Sequence, residues 1–232
     1  MSFWPTEEHW SVEIPLDTKH YRMPQLAETG FVALAPANFD VPEDEYLGLE
    51  YMDWKSGGDT NFAPLASADG ELDCRGFWDK GKTDKDALWT VNADKAPTLK
   101  KYVDSIGANF GRVRIIKLEP QDREVALRSF HRDDNNRFNP EKEGWVVRTW
   151  VELTDNPDSY MLLMDLDDKH LPIAGTERRV PLPRGARFVV DTQRLWHVVV
   201  HNGNAPRYAL ITSVESTPQL EEWIQSQVPA LV

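Results

Sequence analysis

Residues 185–214 read GARFVVDTQRLWHVVVHNGNAPRYALITSV, and their texture decides the fold. Three apolar, β-branched runs stand out: Ala186 to Asp191, Trp196 to His201 and Arg207 to Val214. Pro183-Arg184-Gly185 precedes the first run and Asn202-Gly203-Asn204 separates the last two, both strong turn formers. Short apolar runs bounded by such punctuation read as strands. Traced back to Gly111, the pattern recurs at Arg112–Leu118, Val125–His131, Trp145–Leu153, Tyr160–Leu166 and Glu177–Leu182. Between them lie Pro120-Gln121-Asp122, a polar loop from Asp133 to Gly144, Asp155-Asn156-Pro157-Asp158 and Asp167-Asp168-Lys169. The eight runs so counted predict a mainly β chain, a cupin-like jelly roll with flanking helices.

The flanks supply the helices. Leu99, Tyr102, Val103 and Ile106 fall at i, i+3, i+4 and i+7 after Pro97, and Gly107 can end the helix. Pro218 to Val228 carries Leu220, Trp223, Ile224 and Val228 and predicts an amphipathic helix covering the barrel. Residues 1–110 read as an α/β elaboration packed on the barrel, 111–216 as its core and 217–232 as the C-terminal helix. In the first part, Trp4, Trp10, Tyr21, Phe31, Val32 and Leu34 are apolar anchors. Gly30–Leu34 reads as a strand, Asp44–Tyr51 as one or two helical turns, and Lys55–Asp69 as loop. Phe77-Trp78 and Leu88-Trp89 are aromatic pairs that pack this region or wall a pocket.

Alternation then sorts the polar residues. Side chains two apart on a strand share a face, so His131 and Asp133 of Ser129-Phe130-His131-Arg132-Asp133-Asp134 can reach one ion. His197 shares its face with Val199 and His201, leaving Trp196, Val198 and Val200 to pack outward. His201 lies about 13 Å along the strand from His197, too far for a common ion, and suits a bond to the Asn202-Gly203 turn. Arg207, Ala209 and Ile211 form one face, as do Val146, Arg148, Trp150 and Glu152. An inward Arg148 is costly unless a carboxylate meets it.

Two imidazoles and a carboxylate on separate segments are the donors that hold non-haem Fe(II) with positions open. Arg207, ten residues after His197, offers a fork for a co-substrate carboxylate. Each residue has a plainer account: a polar turn for His131 and Asp133, a core histidine for His197, a surface charge for Arg207. Their order and spacing agree with one site. The pattern also suits a metal-dependent cupin hydrolase or isomerase, or a non-catalytic cupin binding module.

Composition narrows the class. The chain has 232 residues, 41% hydrophobic and 28% charged, and can bury a sizeable core. A net charge of −12 and no basic run argue against nucleic acid as partner. No stretch approaches a membrane span of ~20 apolar residues. The N-terminal residues lack the basic start and apolar run of a signal peptide, and Cys74 is the single cysteine, so the expected location is cytoplasmic.

Residues 112–214 resemble the aspartyl/asparaginyl β-hydroxylase family, and its bacterial proline hydroxylases in particular. The resemblance rests on Ser129–Asp133, Val147–Leu153, Gly185–Asp191, Trp196-His197 and Arg207. It implies a double-stranded β-helix that takes Fe(II), the co-substrate 2-oxoglutarate and O2, and hydroxylates an unactivated C–H with release of succinate and CO2. By resemblance His131, Asp133 and His197 are the metal ligands and Arg207 binds the distal carboxylate of 2-oxoglutarate. Arg148 matches an arginine suited to a substrate carboxylate, and Trp150 stands where some relatives have a histidine, shaping the pocket instead. The substrate implied is a small molecule, an amino acid or a small-peptide side chain. The first hundred residues resemble the family only faintly.

Overall fold

A computed structural model describes residues 19–53, 60–73 and 75–228. Trp4, Trp10 and Cys74, noted above, lie outside the described residues. Eleven strands, β1 (Phe31–Leu34), β2 (Met52–Asp53), β3 (Thr60–Ser67), β4 (Leu88–Trp89), β5 (Phe110–Leu118), β6 (Val146–Glu152), β7 (Asn156–Met164), β8 (Arg178–Leu182), β9 (Arg187–Val190), β10 (Trp196–His201) and β11 (Arg207–Glu215), alternate with five short helices. The helices are α1 (Pro24–Thr29), α2 (Asp44–Leu47), α3 (Pro97–Asp104), α4 (Arg123–Leu127) and α5 (Pro218–Gln227). The larger sheet runs β1-β9-β6-β11-β5-β3-β2, with β4 paired to β3, and the smaller runs β10-β7-β8. All the strand pairings within the two sheets are antiparallel.

Alternation along the strands builds three apolar layers. One face of the larger sheet presents Val113, Ile115, Val147, Val151, Val189 and Leu210 to α3 and α5. Its other face carries Trp150, Phe188, Ala209 and Ile211, which meet Met161, Leu163 and Leu182 of the smaller sheet. The far face of the smaller sheet, with Leu162, Met164, Trp196, Val198 and Val200, is covered by Ala126, Leu127 and Phe130. This is the expected jelly roll with flanking helices. The alternation assigned to β10 holds, since Val199 packs in the inner layer while Trp196, Val198 and Val200 pack outside.

Three local expectations are corrected. Val125–His131 is not a strand: α4 takes Arg123–Leu127 and a turn follows. The physical reason is that Ala126 and Leu127 on the short helix, with Phe130 just after it, bury together against the outer face of the smaller sheet. Ser129 and Leu127 therefore do not line a strand wall with His131. Lys55–Asp69 is not all loop, because Thr60–Ser67 forms β3 beside β5. Gly57-Gly58-Asp59 and Asn61 give the stretch the look of a loop, and Pro64 is tolerated in the strand where the register shifts between Pro64 and Ala66. Asn156–Asp158 belongs to β7 rather than to a turn, with an irregular register against β8 before Tyr160.

Other expectations agree with the described elements. Gly30–Leu34 yields β1, Asp44–Tyr51 yields α2, and 97–106 yields α3, whose Leu99, Tyr102 and Val103 are buried. In α5, Thr217 caps the N-terminus by accepting from the Leu220 N–H. Phe77 is buried in a short 3-10 turn while Trp78 remains partly exposed. No helix among the described residues is long and apolar enough to cross a membrane.

Candidate metal centre

His131 and His197 are brought together by backbone pairing. The His131 N–H donates to the His197 carbonyl at 3.2 Å and the His197 N–H to the His131 carbonyl at 2.8 Å. This single bridge lies just beyond α4, and it sets the two imidazole centroids 4.4 Å apart. Nδ1 of His131 lies 2.7 Å from the Ser129 carbonyl, and Nδ1 of His197 lies 3.2 Å from that of Leu195. Those carbonyls accept only from a protonated Nδ1, which leaves Nε2 of each ring as the atom that can donate to a metal. Burial, reinforced by the neighbouring His131, lowers the pKa of His197 to about 3, so its ring is neutral.

Asp133 completes the group. Its N–H donates to the Thr192 carbonyl at 2.9 Å, fastening the segment against the turn that leads into β10. One ligand atom from each of His131, Asp133 and His197 falls within 4.8 Å of the others. Two imidazoles and one carboxylate suit a divalent ion of intermediate softness such as Fe(II). Burial alone would push the Asp133 carboxyl up. The Arg148 guanidinium, followed by the neighbouring histidines and Arg112, instead holds it well below the usual carboxylate range.

Arg148 is the pivot of a buried network. Its Nε donates to Asp133 Oδ2 at 2.8 Å, its Nη1 to Ser213 Oγ at 2.8 Å and its Nη2 to Asn135 Oδ1 at 2.6 Å. Asn135 Oδ1 also accepts from Arg112 Nη2 at 3.1 Å, and its amide donates to Thr192 Oγ1 at 3.1 Å. Asp84 closes the network, accepting from the Arg112 N–H, Nε and Nη2 and from Ser213 Oγ. Two arginines thus face two aspartates, so the buried charges balance. Burial opposes ionisation of Asp84, but Arg112 and then Arg148 outweigh it and lower its pKa.

Further along the same inner face, Arg207 and Glu152 form a second buried pair. Neither side chain is exposed to solvent. Arg207 Nε donates to Glu152 Oε2 at 2.9 Å and Nη2 donates to Oε1, while Nη1 is buried with no hydrogen-bond partner. Burial pushes the Glu152 carboxyl up even with Arg207 opposing it. Trp150, between Arg148 and Glu152 on β6, stacks on Phe188 with ring centroids 5.6 Å apart.

The six residues singled out in the sequence therefore fall into linked groups on the inner wall. His131, Asp133 and His197 converge, Arg148 binds Asp133, Trp150 lines the wall, and Arg207 lies beyond it paired to Glu152. His201 takes no part: Nδ1 meets Ser159 Oγ at 2.7 Å and Nε2 donates to the Ala205 carbonyl, 2.8 Å away, closing the turn before β11. Asp84, Arg112, Asn135 and Ser213 were not singled out. Asp84 carries no local signal, since it acts from a loop 28 residues before Arg112. Ser213 and Arg112 were legible only as inward positions of strands.

The loop from Asp133 to Gly144 is polar as expected, and its asparagines explain how it stays in place. Asn136 is fully buried: its side chain accepts from the Val146 N–H and donates to the Val146 carbonyl, imitating a neighbouring strand. Gln193 Oε1 accepts from both nitrogens of Asn136, joining this loop to the turn before His197.

No protein-family profile matches the chain, and no curated protein matches it. Solved structures do. A 2OG-Fe(II) oxygenase-family oxidoreductase from Burkholderia pseudomallei is similar over 82% of this chain and 86% of its own, at 15% identity and a TM-score of 0.52. The non-heme alpha-ketoglutarate-dependent carbocyclase SnoK from nogalamycin biosynthesis is similar over 86% of each chain, at 14% identity and a TM-score of 0.51. At such identities the likeness concerns architecture. The chain has the double-stranded β-helix fold that these oxygenases share.

Proposed function

We propose that this protein is an Fe(II)- and 2-oxoglutarate-dependent oxygenase that hydroxylates an unactivated C–H of an amino acid or a small-peptide side chain. The observation that carries the proposal is the convergence of His131, Asp133 and His197, with both Nδ1 atoms turned to carbonyls. A hydrolytic cupin can use the same donors, but a buried arginine at the deep end of the wall suits a carboxylate co-substrate. Among solved structures that share the fold, one is described as a 2OG-Fe(II) oxygenase and another as a non-heme alpha-ketoglutarate-dependent carbocyclase, which supports the same reading.

In this reading His131, Asp133 and His197 hold the metal, which when bound with 2-oxoglutarate and O2 supplies the oxidising chemistry. The released products are succinate, CO2 and a hydroxylated substrate. Asp133 delivers one carboxylate oxygen while Arg148 holds the other, fixing the direction of the ligand. Arg207 takes the distal carboxylate of 2-oxoglutarate, for which its unpaired Nη1 is an available donor. Trp150 and Arg148 flank the substrate. Arg148 meets a substrate carboxylate only with the N–H groups left over from Asp133, Asn135 and Ser213. The resemblance to the aspartyl/asparaginyl β-hydroxylases and the proline hydroxylases favours a small amino acid.

The test is anaerobic addition of Fe(II) and 2-oxoglutarate, observed by the weak visible metal-to-ligand charge-transfer band, followed by O2 and an amino-acid panel scored by succinate. We expect the band in the native protein and its loss in Asp133→Ala. Metal binding without a band would leave the hydrolase or isomerase reading in its place.

A further inference from the structure

The side face of Arg207, the edge presenting Nε and Nη2 together, is the geometry that a carboxylate pairs with best. Glu152 already occupies it. Glu152 lies opposite Ala209 in the β6–β11 register, so Glu152 and Arg207 share the inner face and reach each other across one small residue. An incoming carboxylate finds only the end of the guanidinium, where Nη1 is buried and lacks a partner. There it must either displace Glu152, leaving that carboxylate buried and unpaired, or share one positive charge with it. Both routes cost free energy in a site excluded from water.

We infer that Glu152 is a resident carboxylate that competes with the distal carboxylate of the co-substrate for Arg207, and so sets co-substrate affinity and selectivity. This rests on the oxygenase reading above. It carries a specific chemical consequence: a 2-oxo acid whose distal end is neutral and can both donate and accept meets less opposition than 2-oxoglutarate does. A distal amide satisfies this description, since its N–H donates to Glu152 while its oxygen accepts from Arg207 Nη1. Burial raises the pKa of Glu152 and the Arg207 guanidinium opposes that rise, so the two groups are coupled electrostatically as well as by hydrogen bonds.

The experiment measures apparent affinities from the anaerobic charge-transfer band with Fe(II) present. In the native protein, 2-oxoglutaramate should bind at least as tightly as 2-oxoglutarate. In Glu152→Gln, which retains shape and hydrogen bonding but removes the charge, 2-oxoglutarate should bind about tenfold more tightly. Pyruvate, which has no distal carboxylate, should bind equally to both proteins, and its band also shows that the variant site is intact. A native protein that prefers 2-oxoglutarate over the amide tenfold or more overturns the inference without relying on any variant. So does an unchanged or weaker 2-oxoglutarate affinity in Glu152→Gln. If neither protein gives a band with any 2-oxo acid, the co-substrate reading itself fails, and the role of Glu152 fails with it.

Discussion

Arg148 shows how one residue can be foreseen in kind and not in partner. Alternation along β6 placed it on one face with Trp150 and Glu152 without deciding whether that face turned inward, and a buried guanidinium needs an anion. That anion is Asp133, a member of the candidate ligand set, with Asp84 as the more distant counter-charge at 3.9 Å. The fork geometry matters because three of its nitrogens serve three different acceptors, Asp133, Ser213 and Asn135. A lysine keeps the charge but cannot make that set of bonds. Arg148→Lys should therefore weaken Fe(II) binding by roughly ten- to a hundredfold, as removing groups that orient metal ligands generally does. An anaerobic metal titration measures this; equal affinity in the variant would show that Asp133 is held by its backbone alone. A change in substrate affinity at saturating metal then isolates any direct contact of Arg148 with substrate.

Among elements, those with a clean period were read correctly and those with a competing local signal were not. β5, β6 and β9 to β11 are β-branched runs that packing on both faces favours, and α3 and α5 carry unbroken apolar stripes. β3 was hidden by the turn formers Gly57-Gly58-Asp59 and Asn61, and α4 by a five-residue length too short to show its period. Gly111 near the start of β5 has a role visible only in three dimensions. A Cβ at this position would lie 2.1 Å from the Asp84 carbonyl and 2.2 Å from its Oδ1. Backbone cannot yield by that amount, so Gly111→Ala should move Asp84 away from Arg112. The expected cost is about 2–4 kcal/mol in denaturant unfolding, with weaker metal binding alongside. A variant as stable as the native protein would mean that the Asp84 loop can move without disturbing the sheet.

For the whole molecule, the three apolar layers stabilise a scaffold that carries a cluster of buried charges. Arg112, Arg148 and Arg207 are each at most 8% exposed, and Asp84, Asp133 and Glu152 accompany them. A divalent ion at the candidate ligands would add two positive charges to this set and would bind the folded form alone, because those residues come from positions 131 to 197 of the sequence. Metal should therefore raise thermal stability: at a hundredfold excess over Kd the gain is about 2.7 kcal/mol. For a chain of this size each kcal/mol moves Tm by roughly 2–4 °C. Mn(II) in place of Fe(II) avoids oxidation during the scan. The shift should appear in native protein and vanish in Asp133→Ala, and a shift of equal size in both would place the metal elsewhere.

The sequence by itself determined the sheet-rich class, the inner and outer faces of most strands, the helices that cover the barrel, and the residues able to serve as ligands. These follow from local periodicity and from the chemistry of individual side chains, which nearby residues display. The tertiary structure decided which polar groups meet. Asp133 is matched with Arg148, Asp84 with Arg112, and Glu152 with Arg207, across separations of 15, 28 and 55 residues. Such pairs form because a buried charge must find an opposite one. The choice among the chain's carboxylates is settled only when sheet register sets them side by side.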